Sequence, residues 1–205
     1  MSWESIFSAG LTDDEATAWG EMASELRAFQ DALAAARFDA DVASRLADDL
    51  RAWRERLAPL AGEELEQVNG RVPQLPVRGH AMLPEIRMHT RDASRVAGNV
   101  TFGRWSMGGG MAVHGGVVSL VFDEVLGMLA AAQAQAITRT AFLRTDYRAL
   151  TPIDVELEVE AWIERVEGRK LTVRGEVRHG DVVCAEGDAL FLRLRPEQGL
   201  GTRTT

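Results

Sequence analysis

The sequence predicts an α+β fold in which one long apolar helix is wrapped by an antiparallel sheet. Two observations predict it. The residues from Gly116 to Ala132 form an apolar run of helical length. The segments on either side alternate apolar and polar residues with a period of two, as half-buried strands do. A single helix cannot cover both faces of such a sheet, so we expect the sheet to curve around it.

Six strands are predicted around this helix. Two precede it, Pro84–Thr90 and Arg95–Gly103. Four follow as an antiparallel meander, Ile137–Tyr147, 154–164, 170–178 and Val182–Leu194. The 154–164 strand carries acids on its polar face and the 170–178 strand carries mostly bases. Pairing through a turn at Glu167-Gly168 therefore predicts opposite charges across the two strands.

Residues 1–62 are predicted to form a helical arm. Thr12 and Glu15 fit a capping box, in which each side chain satisfies a free backbone N–H of the first turn. Two apolar stripes with helical spacing follow, separated by a break near residues 38–40. We expect either a hairpin packed on the main domain, or a lid or dimerisation arm. Helix breakers mark residues 63–84 as a linker. The main domain is then 85–196, and 197–205 are a flexible tail.

Composition excludes several classes of partner. The formal net charge is −8. Residues 1–70 carry 15 acids against 6 arginines, which argues against nucleic acid as a partner. No uninterrupted apolar run approaches the ~20 residues of a membrane span, and the N-terminus has no signal-peptide pattern. The single cysteine, Cys184, forms no disulfide within the chain, so we expect a reducing, cytoplasmic location.

The start of the predicted helix carries the most informative motif. His114, Gly115 and Gly116 open the helix, and Asp123 follows nine residues after the histidine. The free backbone N–H groups and the positive end of a helix can hold an oxyanion. A carboxylate two turns further along can act as a base. The motif therefore predicts chemistry on a carbonyl group. The four histidines have no metal-ligand spacing, so no metal is predicted.

These residues, with several further pieces, resemble the hotdog-fold acyl-CoA thioesterases, most closely the phenylacetate-type and Them-type branch. The further pieces are Glu124-Val125-Leu126-Gly127, Thr140 through Tyr147-Arg148, 166–170, and Ala185-Glu186-Gly187 leading into Phe191. The resemblance covers about residues 85–196. It implies a hotdog fold, an acyl-CoA substrate, no cofactor beyond the coenzyme A of that substrate, and no metal. It also implies a dimer or a dimer of dimers, with the site between protomers.

The resemblance assigns catalytic roles to four residues. Asp123 is expected to activate water or to attack the thioester carbonyl itself. The backbone N–H of Gly116 is expected to donate to the thioester oxygen. His114 is expected to shape the loop and contact the acyl carbonyl. Thr140 is expected to hold the water or the Asp123 carboxylate.

Substrate binding is expected from three more residues. Gly115 lies beside the oxyanion donor, and Arg169 and Lys170 lie where relatives often meet the phosphates of coenzyme A. One departure from the family concerns the loop before the histidine. Relatives often have prolines there, whereas this chain has Gly108-Gly109-Gly110.

Other functions stay open at this stage. The same fold could serve as a non-hydrolytic acyl-CoA binding module, or as a dehydratase or hydratase acting on an acyl thioester. A scaffold whose acidic arm binds a partner is a further alternative. An aromatic acyl group, a medium or long fatty acyl chain and a polyketide-like chain are all compatible with the sequence.

Overall fold

The computed structural model describes residues 8–195 and residue 198. Most of the predicted tail and the first seven residues of the predicted arm therefore lie outside the described residues. The helices are α1 (Asp13–Ala35), α2 (Ala40–Leu57) and α3 (Gly115–Ala134). The strands are β1 (Ile86–Arg91), β2 (Arg95–Thr101), β3 (Met107–Gly109), β4 (Ala112–Val113), β5 (Thr138–Tyr147), β6 (Glu156–Glu167), β7 (Lys170–His179) and β8 (Val182–Arg193).

A six-stranded antiparallel sheet in the order β1-β2-β6-β7-β8-β5 packs on α3. The helix buries Phe122, Val125, Leu126 and Leu129 completely, and these side chains form the core with the apolar face of the sheet. The predicted α+β architecture, one long helix held by an antiparallel sheet, is confirmed. The glycine run before α3 forms the short hairpin β3–β4.

Two facing glycines let α3 lie close to the sheet. Gly175 on β7 is paired with Gly187 on β8. A Cβ atom on Gly187 would lie 2.8 Å from the ring of Phe122, and one on Gly175 would lie 2.9 Å from Leu126. Both distances are shorter than normal van der Waals contact. The missing side chains therefore make the space that the two largest core residues of the helix occupy.

The predicted four-stranded meander is wrong in one connection. Strands β6, β7 and β8 do follow one another, but β5 pairs with β8 rather than with β6. The connection after β5 crosses the end of the sheet, where the N–H groups of Arg148 and Ala149 donate to the carbonyl of Cys184. The place beside β6 is taken by β2. Strand order depends on this crossing, which alternation along the sequence does not reveal.

The predicted charge pairing across β6 and β7 holds at two positions of the register, one of which is Glu167 opposite Lys170 beside the turn. Glu158 lies opposite Arg178, but Glu160 lies opposite Glu176. An irregularity between Ile163 and Arg165 shifts the register near the turn. Glu160 instead forms an ion pair with Arg95 of β2. A neighbouring strand thus supplies the cation that the hairpin partner does not.

The two arm helices behave differently. On α1, Ala16 and Ala23 are buried, the Trp19 indole donates to the carbonyl of Gly79 (2.8 Å), and Arg27 donates to that of Leu83 (3.0 Å). Helix α1 also reaches the main domain, where the Trp105 N–H donates to the Asp31 carboxylate at 3.0 Å, so the expected packing of the arm holds for α1. No residue of α2 is buried. The predicted linker is not a free tether either, because it buries Val72, Val77 and Leu83.

Among the described residues, only α3 is long and apolar enough to cross a bilayer. Its apolar face packs in the protein core, which accounts for its composition. Cys184 is also buried, and burial raises the pKa of its thiol, so the reactive thiolate form is disfavoured.

The close approach of α3 to the sheet can be tested at Gly187. We expect Gly187→Ala to lower the free energy of unfolding by about 1–3 kcal/mol, because the new methyl group overpacks the Phe122 ring. Gly127→Ala is the matched control. Its Cβ would lie at an ordinary 3.4 Å from Phe191, and alanine favours the helix by up to about 1 kcal/mol. Chemical denaturation measures the free energy of unfolding of both variants. Equal destabilisation by the two variants would contradict the close approach.

Candidate active site

A groove of about 780 Å³ runs along α3 from Asp123 to Ala132, a volume within the usual range of ligand sites, about 300–1,000 Å³. We call it the α3 groove. Its walls are α3, the start of β5, the β1–β2 turn and the segment around residues 73–78. Apolar side chains from several of these elements face it, Leu75, Val77, Ile86, Met88, Met128 and Ile137.

Asp123 and Thr140 meet in the wall of this groove. The Thr140 hydroxyl donates to the Asp123 carboxylate, with 2.8 Å between the oxygens. Both residues are exposed. The Asp123 carboxylate is therefore open to solvent in the single chain and is not a charge buried in an apolar stripe. This contact is one of the two expected of Thr140, and it joins a residue on a helix to a residue on a strand.

His114 caps the N-terminus of α3. Its Nδ1 accepts a hydrogen bond from the Gly116 N–H at 3.0 Å. The N–H that was predicted to donate to a thioester oxygen thus donates to His114 in this structure. Within the described part of the chain, the N–H of Gly115 donates to no acceptor. Gly115 is the first residue of the helix, so its N–H belongs to the free donors of a helix start.

A hydroxyl network ties the start of α3 to β5. The Tyr147 hydroxyl donates to the carbonyl of Gly115 at 2.8 Å and lies 3.2 Å from the Ser119 hydroxyl. Ser119 in turn lies 2.9 Å from the Thr145 hydroxyl. These contacts fix the direction of the helix N-terminus. Ser119 and Thr145 were missed in the sequence because isolated hydroxyl residues on helices and strands carry no distinctive signal.

An ion pair that the sequence analysis missed lies beside the candidate carboxylate. Arg78 makes a two-pronged hydrogen-bonded ion pair with Glu124, one residue from Asp123. The Glu124 side chain is only 14% exposed. Glu124 is therefore largely shielded from solvent by this pairing. Burial lowers the pKa of the neighbouring His80, while the charge of Glu124 acts in the opposite direction.

The backbone that carries Arg78 is strained. Val77 and Arg78 both have left-handed conformations, with φ of 46° and 54°. Such a conformation costs about 1–3 kcal/mol for each residue that is not glycine. The Arg78 side chain also donates to the carbonyl of Gly70 at 3.0 Å, and Val77 is buried. These contacts hold the strained turn in place against α3, where Val77 and Arg78 line the α3 groove.

The basic residues predicted to meet coenzyme A lie outside the lining of the α3 groove. Arg169 is in the β6–β7 turn, where its side chain donates to the carbonyl of Arg193 at 3.3 Å. Lys170 pairs with Leu192 on β8, and β5 lies on the other side of β8. Neighbouring strands are about 4.8 Å apart, so Lys170 is roughly 10 Å from β5. Arg139 on β5 lines the groove directly.

No group of three or more His, Cys, Asp or Glu side chains in the described part of the chain could hold a metal ion. The polar groups that the site brings together are the Asp123 carboxylate, the Thr140 hydroxyl, the helix N-terminus and the Arg78–Glu124 pair. A carboxylate beside a hydroxyl can orient and deprotonate water, and a helix start can stabilise an oxyanion.

Comparison with known proteins shows what part of the chain is similar to. Residues 110–186 match the sequence model of the Thioesterase superfamily. Over 90 residues the chain is 32% identical to the acyl-coenzyme A thioesterase THEM4 of Rattus norvegicus, covering 43% of this chain and 38% of that protein. The match therefore spans less than half of the relative's length.

Two solved structures extend the comparison. A crystal structure described as a thioesterase superfamily protein is similar with a TM-score of 0.70 and 28% identity, covering 85% of this chain and 90% of that one. Zebrafish thioesterase superfamily member 2 is similar with a TM-score of 0.50 at 12% identity, covering 53% and 81% of the two chains, which supports the fold alone. Residues 110–186 are thus similar in sequence to the Thioesterase superfamily, and the hotdog fold implied by the resemblance is confirmed.

The Arg78–Glu124 pair is expected to stabilise the wall of the groove. We expect Glu124→Ala to lower the free energy of unfolding by about 1.5–3 kcal/mol, because it removes two hydrogen bonds between charged groups that are mostly shielded from solvent. Glu164→Ala is the matched control. Glu164 pairs with Arg174 at 3.7 Å on the surface, and such pairs contribute about 0–1 kcal/mol. Thermal and urea unfolding compare the variants, and a loss no greater than the control's would argue against this role.

Proposed function

We propose that this chain hydrolyses acyl-CoA thioesters to a free acid and coenzyme A. The observation that carries the proposal is the Asp123–Thr140 hydrogen bond in the wall of the α3 groove. The Thioesterase superfamily match over residues 110–186, and the likeness to a named acyl-CoA thioesterase over 90 residues, support it further.

In the proposed reaction, Asp123 has one of two roles. As a general base it takes a proton from a water molecule whose oxygen attacks the thioester carbonyl. As a nucleophile it attacks that carbonyl itself, and water then hydrolyses the mixed anhydride. In both routes the carbon–sulfur bond breaks, the coenzyme A thiolate takes up a proton, and one water molecule is consumed. Thr140 holds the carboxylate, and through it the attacking water, in position.

The oxyanion donor belongs at the start of α3. Gly116 was predicted for this role, but its N–H is occupied by His114 Nδ1. We therefore propose the N–H of Gly115 as the first donor to the thioester oxygen, with His114 holding the loop that presents it. One such donor is worth about 2.7–4 kcal/mol in other acyl-transfer enzymes. The helix dipole adds to it by favouring negative charge at this end.

We propose that the complete site is shared between two protomers. Gly115 and Asp123 are eight residues apart on one helix, which is about 12 Å at 1.5 Å per residue. An oxyanion donor must lie about 2.7–3.1 Å from the oxygen that it stabilises. One chain therefore cannot supply both groups to the same carbonyl. The helix start of a second protomer, placed opposite Asp123, completes the arrangement.

Strand β5 is the proposed contact between these protomers. It is an edge strand of the sheet, and Phe142 and Tyr147 on it are exposed. An exposed apolar edge strand is a template for pairing with another chain.

We also propose that the protein is located in a reducing cytoplasm. The single cysteine, Cys184, is buried, and in such a compartment it would stay a free thiol.

The first test is thiol release from short, medium, long and aromatic acyl-CoAs. We expect Asp123→Asn to lower kcat by about 10²–10⁴-fold, because it keeps the size of the side chain and removes the base or nucleophile. Thr140→Val should lower it by about 10–100-fold, as for loss of a hydrogen bond to a charged group. The control is Asp181→Asn, an exposed carboxylate in the β7–β8 turn.

The same panel of acyl-CoAs also distinguishes hydrolysis from the alternative functions. Binding of acyl-CoA without thiol release would make the protein a binding module, and loss of an enoyl absorption band would make it a hydratase. Full activity of Asp123→Asn would show that another carboxylate carries the reaction. Because the groove presents apolar side chains, we expect the best substrate to have an apolar acyl group.

A shared site predicts that specific activity falls on dilution, in step with dissociation measured by mass photometry. Phe142→Glu should move both transitions to higher protein concentration, since it places a charge in the proposed β5 contact. Val182→Glu is the matched control, because Val182 is a similarly exposed apolar residue at the start of β8. A monomer that retains full activity would rule out the shared site.

A further inference from the structure

Helix α2 packs no residue into the core of the described part of the chain. It is 18 residues long and none of them is buried. Leu50, Trp53 and Leu57 are 51%, 59% and 58% exposed, and Leu60 in the following turn is 76% exposed. Most of the stability of a helix in a protein comes from packing of its apolar face. An apolar face that is mostly exposed therefore indicates a partner outside the described part of this chain.

The apolar residues of α2 have the spacing of a helix–helix seam. They recur alternately at three and four residues along one face, Ala43, Leu46, Leu50, Trp53, Leu57 and Leu60. This is the a and d pattern of a coiled coil, which presents a narrow apolar stripe to another helix. The required partner is therefore an amphipathic helix with a matching stripe.

The charges of α2 complement a second copy of α2 that runs in the opposite direction. Residues 40–49 carry three aspartates and one arginine, and residues 50–57 carry three arginines and one glutamate. Antiparallel pairing places each acidic half on a basic half, whereas parallel pairing places like on like. The four acids and four arginines cancel, which does not favour an anionic membrane surface.

The register of this pairing follows from the stripe. With Leu50 of one copy opposite Trp53 of the second copy, Leu46 lies opposite Leu57 and Ala43 opposite Leu60. The same register brings Asp49 beside Arg56 of the second copy, twice by symmetry. Within the described part of the chain neither Asp49 nor Arg56 has an ion-pair partner, and Arg56 lies over the Trp53 ring at 5.1 Å.

Four of the remaining charges are paired within the helix. Arg45 is paired with Asp41 at 2.8 Å, and Arg51 is paired with Asp48 at 2.5 Å. Asp49 and Arg56, which lie on the same flank of the seam, are of opposite sign and meet each other in the antiparallel register.

We propose that α2 is a self-association helix, which pairs antiparallel with α2 of a second copy of this chain. The contact is two-fold symmetric, as expected for a homodimer interface. It uses a different surface from β5, so the two contacts together would build a dimer of dimers. The proposal does not rest on the proposed catalytic function.

Charge reversal tests the pairing. Asp49→Arg and Arg56→Asp each place like charges at both symmetric contacts, and we expect each to weaken self-association about tenfold or more. The double variant should restore it. An equimolar mixture of the two single variants should also associate, because every contact in the mixed pair joins arginine to aspartate. Sedimentation velocity in a Phe142→Glu background measures the α2 contact apart from the one proposed at β5.

Disulfide trapping tests the direction of pairing. We expect Leu46→Cys mixed with Leu57→Cys to cross-link under oxidation. Leu57→Cys alone should not, because its two copies would lie about 16 Å apart along the antiparallel pair, beyond the reach of a disulfide. Wild type, whose only cysteine is buried, is the control. Cross-linking of Leu57→Cys with itself would overturn the antiparallel register.

Two results would overturn self-association altogether. The first is unchanged mass in all charge-reversal variants. The second is binding of α2 to anionic phospholipid vesicles with no concentration-dependent increase in protein mass. Thiol release, measured in parallel, should be unchanged in every α2 variant, so the outcome is independent of the proposed activity. Circular dichroism confirms that each variant keeps its helix content.

Discussion

The rest of the structure depends on the burial of α3 against the sheet. Phe122 and Leu126 are fully buried, and they reach the sheet because Gly175 and Gly187 have no side chains in the way. Burying one large apolar side chain contributes about 1.5–3 kcal/mol. This contact also sets the rotation of α3 about its axis, which turns Asp123 away from the core and toward the groove.

The same helix explains why the candidate site is divided. Its first turn offers free N–H donors and a positive dipole, and its third turn offers the Asp123 carboxylate. A straight helix holds these two features about 12 Å apart, so they cannot act on one carbonyl within one chain. If the N–H donors come from the helix of a second protomer, both groups can reach the same carbonyl and neither helix has to bend. The proposed hydrolysis therefore requires two protomers to associate, and the exposed edge strand β5 is consistent with that requirement.

The segments before β1 complete the groove and are held there at a cost in strain. The left-handed conformations of Val77 and Arg78 are unfavourable, yet they direct the Arg78 guanidinium onto Glu124. Helix α1 packs against the following residues through Trp19. Helix α2 contributes nothing to this packing, and its apolar face and unpaired flanking charges indicate a role outside the chain.

The sequence by itself determined the fold class, the long helix and the strand positions, because alternation of apolar and polar residues reports local periodicity directly. It also singled out Asp123 and Thr140, since a short motif and a family resemblance are readable in one dimension. Only the tertiary structure decided that β5 lies beside β8, that Glu124 is paired with Arg78, and that the Gly116 N–H is occupied by His114. These three contacts depend on which distant segments of the chain meet. Neither a chain crossing nor a strained turn produces a periodic pattern of residues in the sequence.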